Sequence, residues 1–308
     1  MISKTVAIQG NRLTNLNPIT DTSIFLATEI QRKNYKIFYY EPKNLSIIGP
    51  KVFAKGSFVK FDYNKKRLIK MIKESKLDLS KCKFILIRQD PPFNLEYIST
   101  TYILDTIKNK VKIINNPTSI RNVSEKLYSA KYKKYMPNTI FTQNIDEIKK
   151  FFKINKRIIL KPIHGYGGND IHLMSKFDNK FVKKYIKKHD HIMCQKFLSK
   201  ISKGDKRVFI IDGKIAGAIS RIPKKGSFLS NLSRGAKAIK INLSKREKKI
   251  SKKIAKDLKK ENIFFAGIDF IDQKLNGDIN VTSPTGLKTL YDLTGINVAK
   301  IFWRNLKA

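Results

Sequence analysis

The chain has 308 residues, 41% of them hydrophobic, and its 64 lysines and arginines against 24 aspartates and glutamates give a formal charge of +40 at pH 7. The apolar fraction excludes intrinsic disorder, and the length predicts two or three lobes, because domains usually span about 100–150 residues. The two cysteines, Cys82 and Cys194, lie far apart in the chain, which excludes a disulfide framework and favours a reducing compartment.

The first third of the chain predicts an open, mostly parallel α/β sheet. Its apolar runs are TVAIQG, KIFYYEP, KFILIRQDPPF and VKIINNP, and they alternate with the helix-period segments DTSIFLATEIQRKNYK and EYISTTYILDTIKNK. Repeated strand, helix and strand units of this kind form parallel sheets with helices on their faces. Ligands of such sheets bind beyond the carboxyl ends of the strands.

Arg88 and Asp90 end one of these predicted strands, immediately before Pro91 and Pro92. A stiff proline turn would hold both side chains at the ligand edge of the sheet. A salt bridge between Arg88 and Asp90 that only fixes the loop is the alternative interpretation.

The segment TSIRNVSEKLYSAKYKKYMPNT predicts a helix that begins at Thr118 or Ser119, carries Lys126 and ends at Pro137. From about residue 138 the pattern changes to α+β. Four strands are predicted with two intervening helices: NTIFTQ, RIILKPI, DIHLMS and HIMCQKFL. Two hairpins follow, and we expect their turns at Asp212-Gly213 and Asn276-Gly277. The second part of the chain should therefore contain antiparallel sheets.

The segment KPIHGYGGND, residues 161–170, places a lysine ahead of three glycines. This order fits neither a Walker loop, which ends in Gly-Lys-Ser/Thr, nor a dinucleotide-binding turn, which reads G-x-G-x-x-G before a helix. Lys161 at the end of a buried strand would meet an anion, and the glycines would free backbone N–H groups to close over phosphate oxygens. On composition alone, an ordinary glycine turn is equally acceptable.

The last predicted hairpin carries oxygen ligands. Side chains alternate along a strand, so Asp278 and Asn280 share one face, and Asp269 lies alongside on the neighbouring strand without a basic partner in that strand. Such oxygen sets suit Mg²⁺. An exposed hairpin with ordinary turn acids is the alternative.

The large positive charge is compatible with a polyanion partner, such as nucleic acid or an anionic membrane surface. However, lysines occur throughout the chain, as A/T-rich codon usage would produce. In residues 245–260, Ile250, Ile254 and Leu258 recur every four residues and leave the lysines on the solvated face of an amphipathic helix. No apolar run approaches the roughly 20 residues of a membrane span, and no secretory signal is recognised. We therefore expect a cytoplasmic protein with no membrane or nucleic-acid partner.

Five segments occur in the same order as the corresponding stretches of bacterial glutathione synthetase, an ATP-grasp ligase: LIRQDPPF, NNPTSIRNVSEKLY, IILKPIHGYGG, GDKRVFIIDG and DINVTSPTG. The chain resembles that family from about residue 15 to its C-terminus, and RQDPPF and NVTSPT are more specific to it than to ATP-grasp enzymes in general. The resemblance implies an ATP-grasp fold with an N-terminal, open, mostly parallel α/β domain. The implied domains are 1–122 and 123–308. The second divides into a central lobe of about 123–200 and a C-terminal lobe of about 201–308. The resemblance also implies that the glycine loop of the central lobe is a lid that folds over the phosphates of ATP.

The resemblance also implies an activity. Glycine would be joined to the C-terminal carboxylate of γ-glutamylcysteine through an acyl phosphate, giving glutathione, ADP and phosphate. The implied cofactor is Mg²⁺, with Mn²⁺ as an alternative, and ATP is the co-substrate. The small-molecule partners would be ATP, γ-glutamylcysteine and glycine, and a homo-oligomer is implied by the family.

Site residues follow from the resemblance, position by position. The implied catalytic residues are Arg207 and Lys161. The implied ATP-binding residues are Lys126, Lys161, Gly165, Tyr166, Gly167, Gly168, Gln195, Phe197 and Leu198. The implied substrate residues are Arg88, Asp90, Asn231, Ser283, Thr285 and Gly286. The implied metal ligands are Asp269, Asp278 and Asn280.

The chain departs from the family pattern in two places. Asp278 replaces a metal-bridging glutamate and is one methylene shorter. In residues 226–238, Leu229 stands where the family has an arginine and Ala236 replaces a glycine. That loop covers the acceptor peptide in the family, so the alternative function is an ATP-grasp carboxylate–amine ligase for another peptide or amino acid. A basic nucleic-acid-binding protein on a degenerate ligase scaffold is a third reading, and scattered lysines disagree with it.

Overall fold

The computed structural model describes residues 3–63 and 68–308, and these form three β-sheets with helices packed on them. The strands of the first sheet are β1 (Thr5–Gln9), β2 (Lys36–Tyr40), β3 (Leu45–Ile48), β4 (Lys51–Phe61), β5 (Ile69–Asp78), β6 (Phe84–Ile87) and β7 (Lys112–Ile114). The helices of this part are α1 (Thr22–Gln31), α2 (Leu95–Asp105) and α3 (Pro117–Asn122).

The first sheet is parallel in one half and antiparallel in the other. Strands β2, β1, β6 and β7 pair in parallel, which confirms the prediction, and every residue of β1 is buried, as expected for a strand covered on both faces. Strands β3, β4 and β5 add an antiparallel extension that the sequence pattern did not predict. The reason is that β5 is mostly exposed and charged, so it has little apolar periodicity.

The second and third sheets are antiparallel throughout, as predicted. The second sheet has the order β10-β9-β11-β8 and consists of β8 (Thr139–Thr142), β9 (Ile158–Pro162), β10 (His172–Met174) and β11 (Ile192–Lys196). The third has the order β14-β13-β12-β15-β16 and consists of β12 (Asp205–Ile211), β13 (Lys214–Ile222), β14 (Lys237–Lys240), β15 (Phe265–Ile271) and β16 (Lys274–Asn280). The helices of this part are α4 (Ile145–Asn155), α5 (Asn179–His189), α6 (Lys245–Lys260), α7 (Leu287–Thr294) and α8 (Val298–Asn305).

Helix α6 confirms the amphipathic interpretation of the lysine-rich segment. Ser244 and Glu247 form a reciprocal capping box at its start, which satisfies two backbone N–H groups. Ile250, Ile254 and Leu258 are fully buried, so the lysines lie on the outer side. Within residues 3–63 and 68–308, no helix is both long and apolar enough to cross a membrane.

The predicted helix from Thr118 or Ser119 to Pro137 is wrong. Helix α3 ends at Asn122, and 3-10 turns cover Leu127–Tyr135, so Lys126 lies between the two elements and not on a helix. The helix cap is Asn116, whose side chain accepts a hydrogen bond from the Ser119 N–H. An asparagine cap followed directly by proline at the first helical position is the stronger start signal.

One of the two predicted hairpin turns is confirmed. Asp212 and Gly213 have φ values of 47° and 72° and join β12 to β13. The turn predicted at Asn276-Gly277 is wrong, because β15 and β16 are joined at Asp272-Gln273 and Gly277 lies inside β16. A Cβ on Gly277 would come within 2.2 Å of the Met193 side chain, so this glycine permits close packing against β11.

Asn115 fastens the first sheet to the third. It follows β7, is buried, and its Nδ2 donates to the backbone oxygens of Phe265 and Val281, each at 2.7 Å. Its Oδ1 accepts from the backbone N–H groups of Phe264 and Phe265 at 2.9 and 2.8 Å. This side chain therefore pairs with four backbone groups, which belong to Phe264, Phe265 and Val281.

We predict that Asn115→Ala lowers the free energy of unfolding by about 2–3 kcal/mol, because buried donors and acceptors would lose their partners. The measurement is denaturant unfolding. Asn138→Ala is the control, since Asn138 is exposed and makes one long side-chain contact at 3.3 Å. Equal effects of the two substitutions would contradict the fastening role of Asn115.

Candidate active site

A cavity of about 610 Å³ is lined by strands of both antiparallel sheets and reaches Asp90, after the carboxyl end of β6. Its size is typical of sites for small ligands. An apolar group of lining residues comprises Ile159, Ile171, Phe197, Leu198, Ile201 and Ile271. A charged group comprises Asp90, Glu125, Lys126, Lys161, Lys196, Asp205, Arg207, Arg221, Arg234, Asp269 and Asp278. The cavity can therefore accept a ligand with one apolar and one charged part.

Four charged residues share one face of the third sheet. Asp205 and Arg207 are two residues apart on β12, so both point to that face. Arg221 on β13 pairs with Asp205, and Asp269 on β15 pairs with Arg207, in the strand register. Arg207 holds both oxygens of Asp269, at 2.9 and 2.8 Å, while Arg221 donates at 2.8 Å to Asp269 and at 2.7 Å to Asp205. We call these four residues the charge cluster.

All four members of the charge cluster are buried, so each needs a partner of opposite sign. Burial by itself would raise the pKa of Asp269, but Arg207 and Arg221 outweigh it and lower that pKa. Burial would lower the pKa of Arg221, but Asp205 and Asp269 outweigh it and raise that pKa. The expectation that Asp269 lacks a basic partner is correct for its own strand and wrong for the site, because the partners come from β12 and β13.

Two lysines surround the carboxylate of Asp278. Lys161 Nζ lies 2.8 Å from the Asn276 backbone oxygen and 3.2 Å from Asp278 Oδ2, and Lys126 Nζ lies 3.6 Å from Asp278 Oδ1. Both lysine side chains are buried. Burial would raise the pKa of Asp278, but Lys161 and then Lys126 outweigh it and lower that pKa. Glu125 also lies near Lys126, so two ammonium groups and two carboxyl groups meet at this corner of the cavity. Both lysines are placed to contact an anionic ligand there.

The proposed metal ligands come together around a bulge. Ile268 pairs with Ile279 and Phe270 with Leu275, so residues 276–278 lie opposite Asp269 alone. Residues 276–278 thus form a strand bulge opposite Asp269.

The oxygen atoms of Asp269, Asp278 and Asn280 are suitable ligands for a hard cation. Asn280 Oδ1 is buried and has no hydrogen-bond partner among the described residues. Asp269 already accepts three hydrogen bonds, which leaves about one of its four lone-pair sites free. The described ranges contain no group of three His, Cys, Asp or Glu suited to a metal, so the set depends on the Asn280 amide oxygen. Asp269, Asp278 and Asn280 could hold Mg²⁺ if water or phosphate oxygens completed the octahedron.

The predicted glycine loop connects the antiparallel strands β9 and β10, as expected for a lid on a hairpin. We call residues 163–171 the lid. Its cavity-lining residues are Gly165, Tyr166, Gly167, Gly168, Asn169 and Ile171. Gln195, at the end of β11, donates to Thr139 Oγ1 at 3.0 Å, and Phe197 packs under the guanidinium of Arg157 at 4.5 Å. Together with Leu198 these residues line the cavity beside the apolar group.

Four of the six predicted substrate residues line the cavity, namely Asp90, Asn231, Ser283 and Thr285. In the described structure, Arg88 and Gly286 are not part of that lining. Arg88 donates to Ser23 Oγ at 3.1 Å and to the Pro284 oxygen at 3.0 Å, while Asp90 accepts from Asn11 Nδ2 at 2.8 Å. Gly286 donates its N–H to Thr22. Arg88 and Gly286 therefore support the loop that carries Ser283 and Thr285.

Sequence reasoning missed several lining residues: Glu125, Asn169, Asp205, Arg221, Arg234 and Asn276. The hairpin turn at Asp212-Gly213 would have placed residue 220 opposite Asp205 by simple counting. A bulge between Phe209 and Ile210 shifts the register by one residue and brings Arg221 there instead. The signal available in the sequence was Arg221, a charged residue inside the largely apolar strand β13, which could have indicated a buried ion pair.

Solved structures with the same architecture define the class of protein. A D-cycloserine synthetase matches with a TM-score of 0.67 at 11% identity, covering 98% of this chain and 99% of that chain. D-alanyl-alanine synthetase A from Vibrio cholerae matches with a TM-score of 0.63 at 14% identity, covering 100% and 98%. An ATP-grasp ligase from Chryseobacterium gregarium matches with a TM-score of 0.63 at 15% identity, covering 98% and 97%. The chain has the ATP-grasp fold.

Sequence relatives narrow this class to one family. The family models for the prokaryotic glutathione synthetase N-terminal domain and ATP-grasp domain match residues 5–121 and 125–295. The glutathione synthetase of Mesorhizobium japonicum is 34% identical, over 97% of this chain and 96% of its own. That of Buchnera aphidicola is 36% identical, over 96% and 93%. The chain belongs to the prokaryotic glutathione synthetase family of ATP-dependent ligases.

We predict that Arg221→Met lowers the free energy of unfolding at pH 7 by about 3–5 kcal/mol, because Asp205 and Asp269 stay buried with one counter-ion fewer. The pKa of Asp269 is lowered in the fold, so its ion pairs stabilise fully above the unfolded aspartate pKa of about 3.9 and less as the pH falls further. The difference between wild type and variant should therefore shrink near pH 3, by denaturant unfolding. Arg246→Met on the exposed side of α6 is the control, and an equal loss at both pH values would contradict the electrostatic explanation.

Proposed function

We propose that this chain joins glycine to the C-terminal carboxylate of γ-glutamylcysteine, with ATP converted to ADP and phosphate. The observation that carries the proposal is the pair of buried lysines, Lys126 and Lys161, at Asp278 beneath a glycine-rich lid. Membership of the prokaryotic glutathione synthetase family supports the substrates. The domains 1–122 and 123–308, a cytoplasmic location and a homo-oligomer stay predictions.

The lining of the cavity supports a bound ATP whose adenine lies on its apolar side and whose phosphates lie on its charged side. The adenine would lie in the apolar group beside Gln195, Phe197 and Leu198. The phosphates would extend to Lys126 and Lys161, under the backbone N–H groups of the lid. In that position the ammonium groups would exchange part of their contact with Asp278 for phosphate oxygens.

The reaction has two steps, and its phosphorylated species and its tetrahedral intermediate are anionic. The dipeptide carboxylate attacks the γ-phosphorus of ATP, which forms the acyl phosphate and releases ADP. The amine of glycine then attacks the acyl carbon and loses a proton to solvent, and the tetrahedral oxyanion collapses to the amide as its carbon–oxygen bond to phosphate breaks. Lys161 would stabilise the charge on the transferred phosphoryl group, and Arg207 that on the reacting carboxylate and oxyanion. Mg²⁺ bound by Asp269, Asp278 and Asn280 would supply charge neutralisation at the phosphates.

Arg207 is held in a fixed orientation for this role. Both oxygens of Asp269 accept from its guanidinium, and its Nη1 lies 3.4 Å from both oxygens of Thr285, one of the proposed substrate residues. Because these partners are already in place, little reorganisation would be needed as negative charge develops.

A second candidate function is favoured by the acceptor side of the cavity. Phe228 and Leu229 line it, where the family has an arginine at position 229. An apolar side chain cannot pair with a carboxylate of the acceptor, so a different peptide or amino acid is the alternative substrate of the same ATP-dependent ligation.

The test is ADP release by the purified chain with Mg²⁺, ATP, γ-glutamylcysteine and glycine, with each component omitted in turn and the product identified by mass. We expect release to require both substrates and to yield glutathione. Lys161→Met should lower kcat by about 100-fold, as loss of one charge-stabilising group does. Lys183→Met, on the exposed side of α5, should not. ATP binding without stimulation by either substrate would favour the second candidate.

We predict that Asn280→Ala raises the Mg²⁺ concentration needed for half-maximal ADP release by about 10-fold, the scale of metal-site perturbations. The metal-free protein should lose little stability, because the Asn280 amide oxygen has no partner in the described structure to lose. Thermal unfolding with and without Mg²⁺ separates the two effects, and Asn138→Ala is the control. An unchanged Mg²⁺ requirement would remove Asn280 from the metal site.

A further inference from the structure

Two loops that line the cavity contact each other directly. One is the lid, residues 163–171, and the other joins β13 to β14 and spans residues 223–236, which we call the acceptor loop. Arg234 Nε donates to the Gly167 backbone oxygen at 2.8 Å, and Arg234 Nη2 donates to Asn169 Oδ1. A side chain of the acceptor loop is therefore hydrogen-bonded on both sides of Gly168.

Gly168 lies in the same contact. Its φ is +76°, and a Cβ at this position would come within 2.6 Å of Asn231 Oδ1 and 3.2 Å of Arg234 Nε. The lid backbone thus approaches the acceptor loop as closely as a glycine permits. Three consecutive lid residues, 167–169, are in contact with the acceptor loop.

The local structure of the acceptor loop positions the two contacting side chains. Residues Leu232–Arg234 form a single 3-10 turn, in which the Arg234 N–H donates to the Asn231 oxygen at 2.9 Å. Gly235 ends the turn in the left-handed region, at φ +82°. A tight turn closed in this way presents Asn231 and Arg234 together to the lid.

The hydrogen bonds between Arg234 and the lid can break and form again easily. Arg234 is exposed, both of its acceptors are uncharged, and within the described ranges its guanidinium forms no ion pair. Hydrogen bonds at an exposed site contribute little net free energy, because water competes for both partners. The contact is therefore too weak to keep the two loops together by itself.

We propose that Arg234 is a positioning residue that couples closure of the lid to ordering of the acceptor loop. When the lid closes over nucleotide phosphates, Gly167 and Asn169 present their oxygens to Arg234, and the acceptor loop is ordered in the closed position. This proposal rests on the proposed function only in taking the lid to cover a nucleotide. By linkage, acceptor binding must stabilise the closed lid by the same factor.

The geometry distinguishes this role from simple attraction of phosphate by a positive charge. The guanidinium donates from two nitrogens to two acceptors in a fixed fork, which a lysine cannot reproduce. Coupling by contact would therefore be lost in Arg234→Lys as well as in Arg234→Ala, whereas attraction by charge would survive in Arg234→Lys.

The test is hydrogen–deuterium exchange on the full chain with Mg²⁺ and adenylyl imidodiphosphate, without any acceptor. In the wild type we expect the nucleotide analogue to slow exchange in both the lid and the acceptor loop. In Arg234→Ala and Arg234→Lys we expect protection of the lid alone, with the acceptor loop exchanging faster than in the wild-type complex by about fivefold or more, the lower range of coupling factors.

Two pairs of variants provide matched controls. Lys225→Ala removes a positive charge from an exposed position of the same loop and should keep the protection. Gly168→Ala and Gly226→Ala both place an alanine at positive φ, +76° and +82°, but a Cβ at Gly226 meets nothing within 4 Å. Only Gly168→Ala should therefore uncouple the acceptor loop from the lid.

Kinetics give a second readout. If γ-glutamylcysteine is the acceptor, Arg234→Ala should raise its KM by about fivefold with a smaller change in kcat, because the loop and not the reacting groups is disturbed.

Three outcomes would count against part or all of this proposal. Equal protection of the acceptor loop in wild type and Arg234→Ala would overturn the coupling between lid closure and ordering of the acceptor loop. Coupling without turnover of γ-glutamylcysteine would leave the role of Arg234 intact and reject the substrate. No protection of the wild-type lid would overturn the nucleotide site and the coupling together.

Discussion

Burial of charge is the constraint on which this site depends. Arg207, Arg221, Asp205 and Asp269 lie on one face of the third sheet with almost no access to water, and each would be very costly there without the others. Mutual pairing fixes their side chains, so the charge cluster forms a rigid part of the cavity lining. The Asp269 carboxylate and the Arg207 guanidinium are thereby oriented before any ligand arrives, which is the arrangement that electrostatic stabilisation of a transition state requires.

The neighbouring corner of the cavity has the opposite property. Lys126 and Lys161 share the one carboxylate of Asp278, and the amide oxygen of Asn280 has no partner within the described residues. Buried polar groups that stay incompletely paired are unusual and point to a ligand. A fully paired cluster beside a corner with an unpaired amide oxygen suits an ATP-dependent ligase, because the cluster must stay fixed while the corner exchanges its partners for those of a ligand.

Local sequence patterns predicted most of the helices, strands and turns. They failed where one segment fitted two different structures or gave no clear pattern. Helix α6 and the Asp212-Gly213 turn were correctly predicted, because periodicity and turn chemistry act within a few residues. The helix that begins at Pro117 was placed too late and made too long, because Asn116 caps it and the chain changes to 3-10 turns after Asn122. Asn276-Gly277 has the composition of a turn, yet the close approach of Met193 is what requires this glycine. The antiparallel strands β3 to β5 gave no clear signal, since β5 is largely exposed.

Residue order alone was enough to predict which residue types form the candidate site and which strands and loop carry them. Examples are Lys161 before the glycines of the lid, and Asp278 and Asn280 on one strand face. These depend on neighbours in the chain and on the two-residue repeat of a strand. The contacts that these side chains make with residues on other strands and loops depend on the tertiary structure. A bulge places Arg221 opposite Asp205, and loop packing brings Arg234 to a lid more than 60 residues away in sequence. Register shifts and contacts between distant loops are set by packing of the whole fold, and no local pattern encodes them.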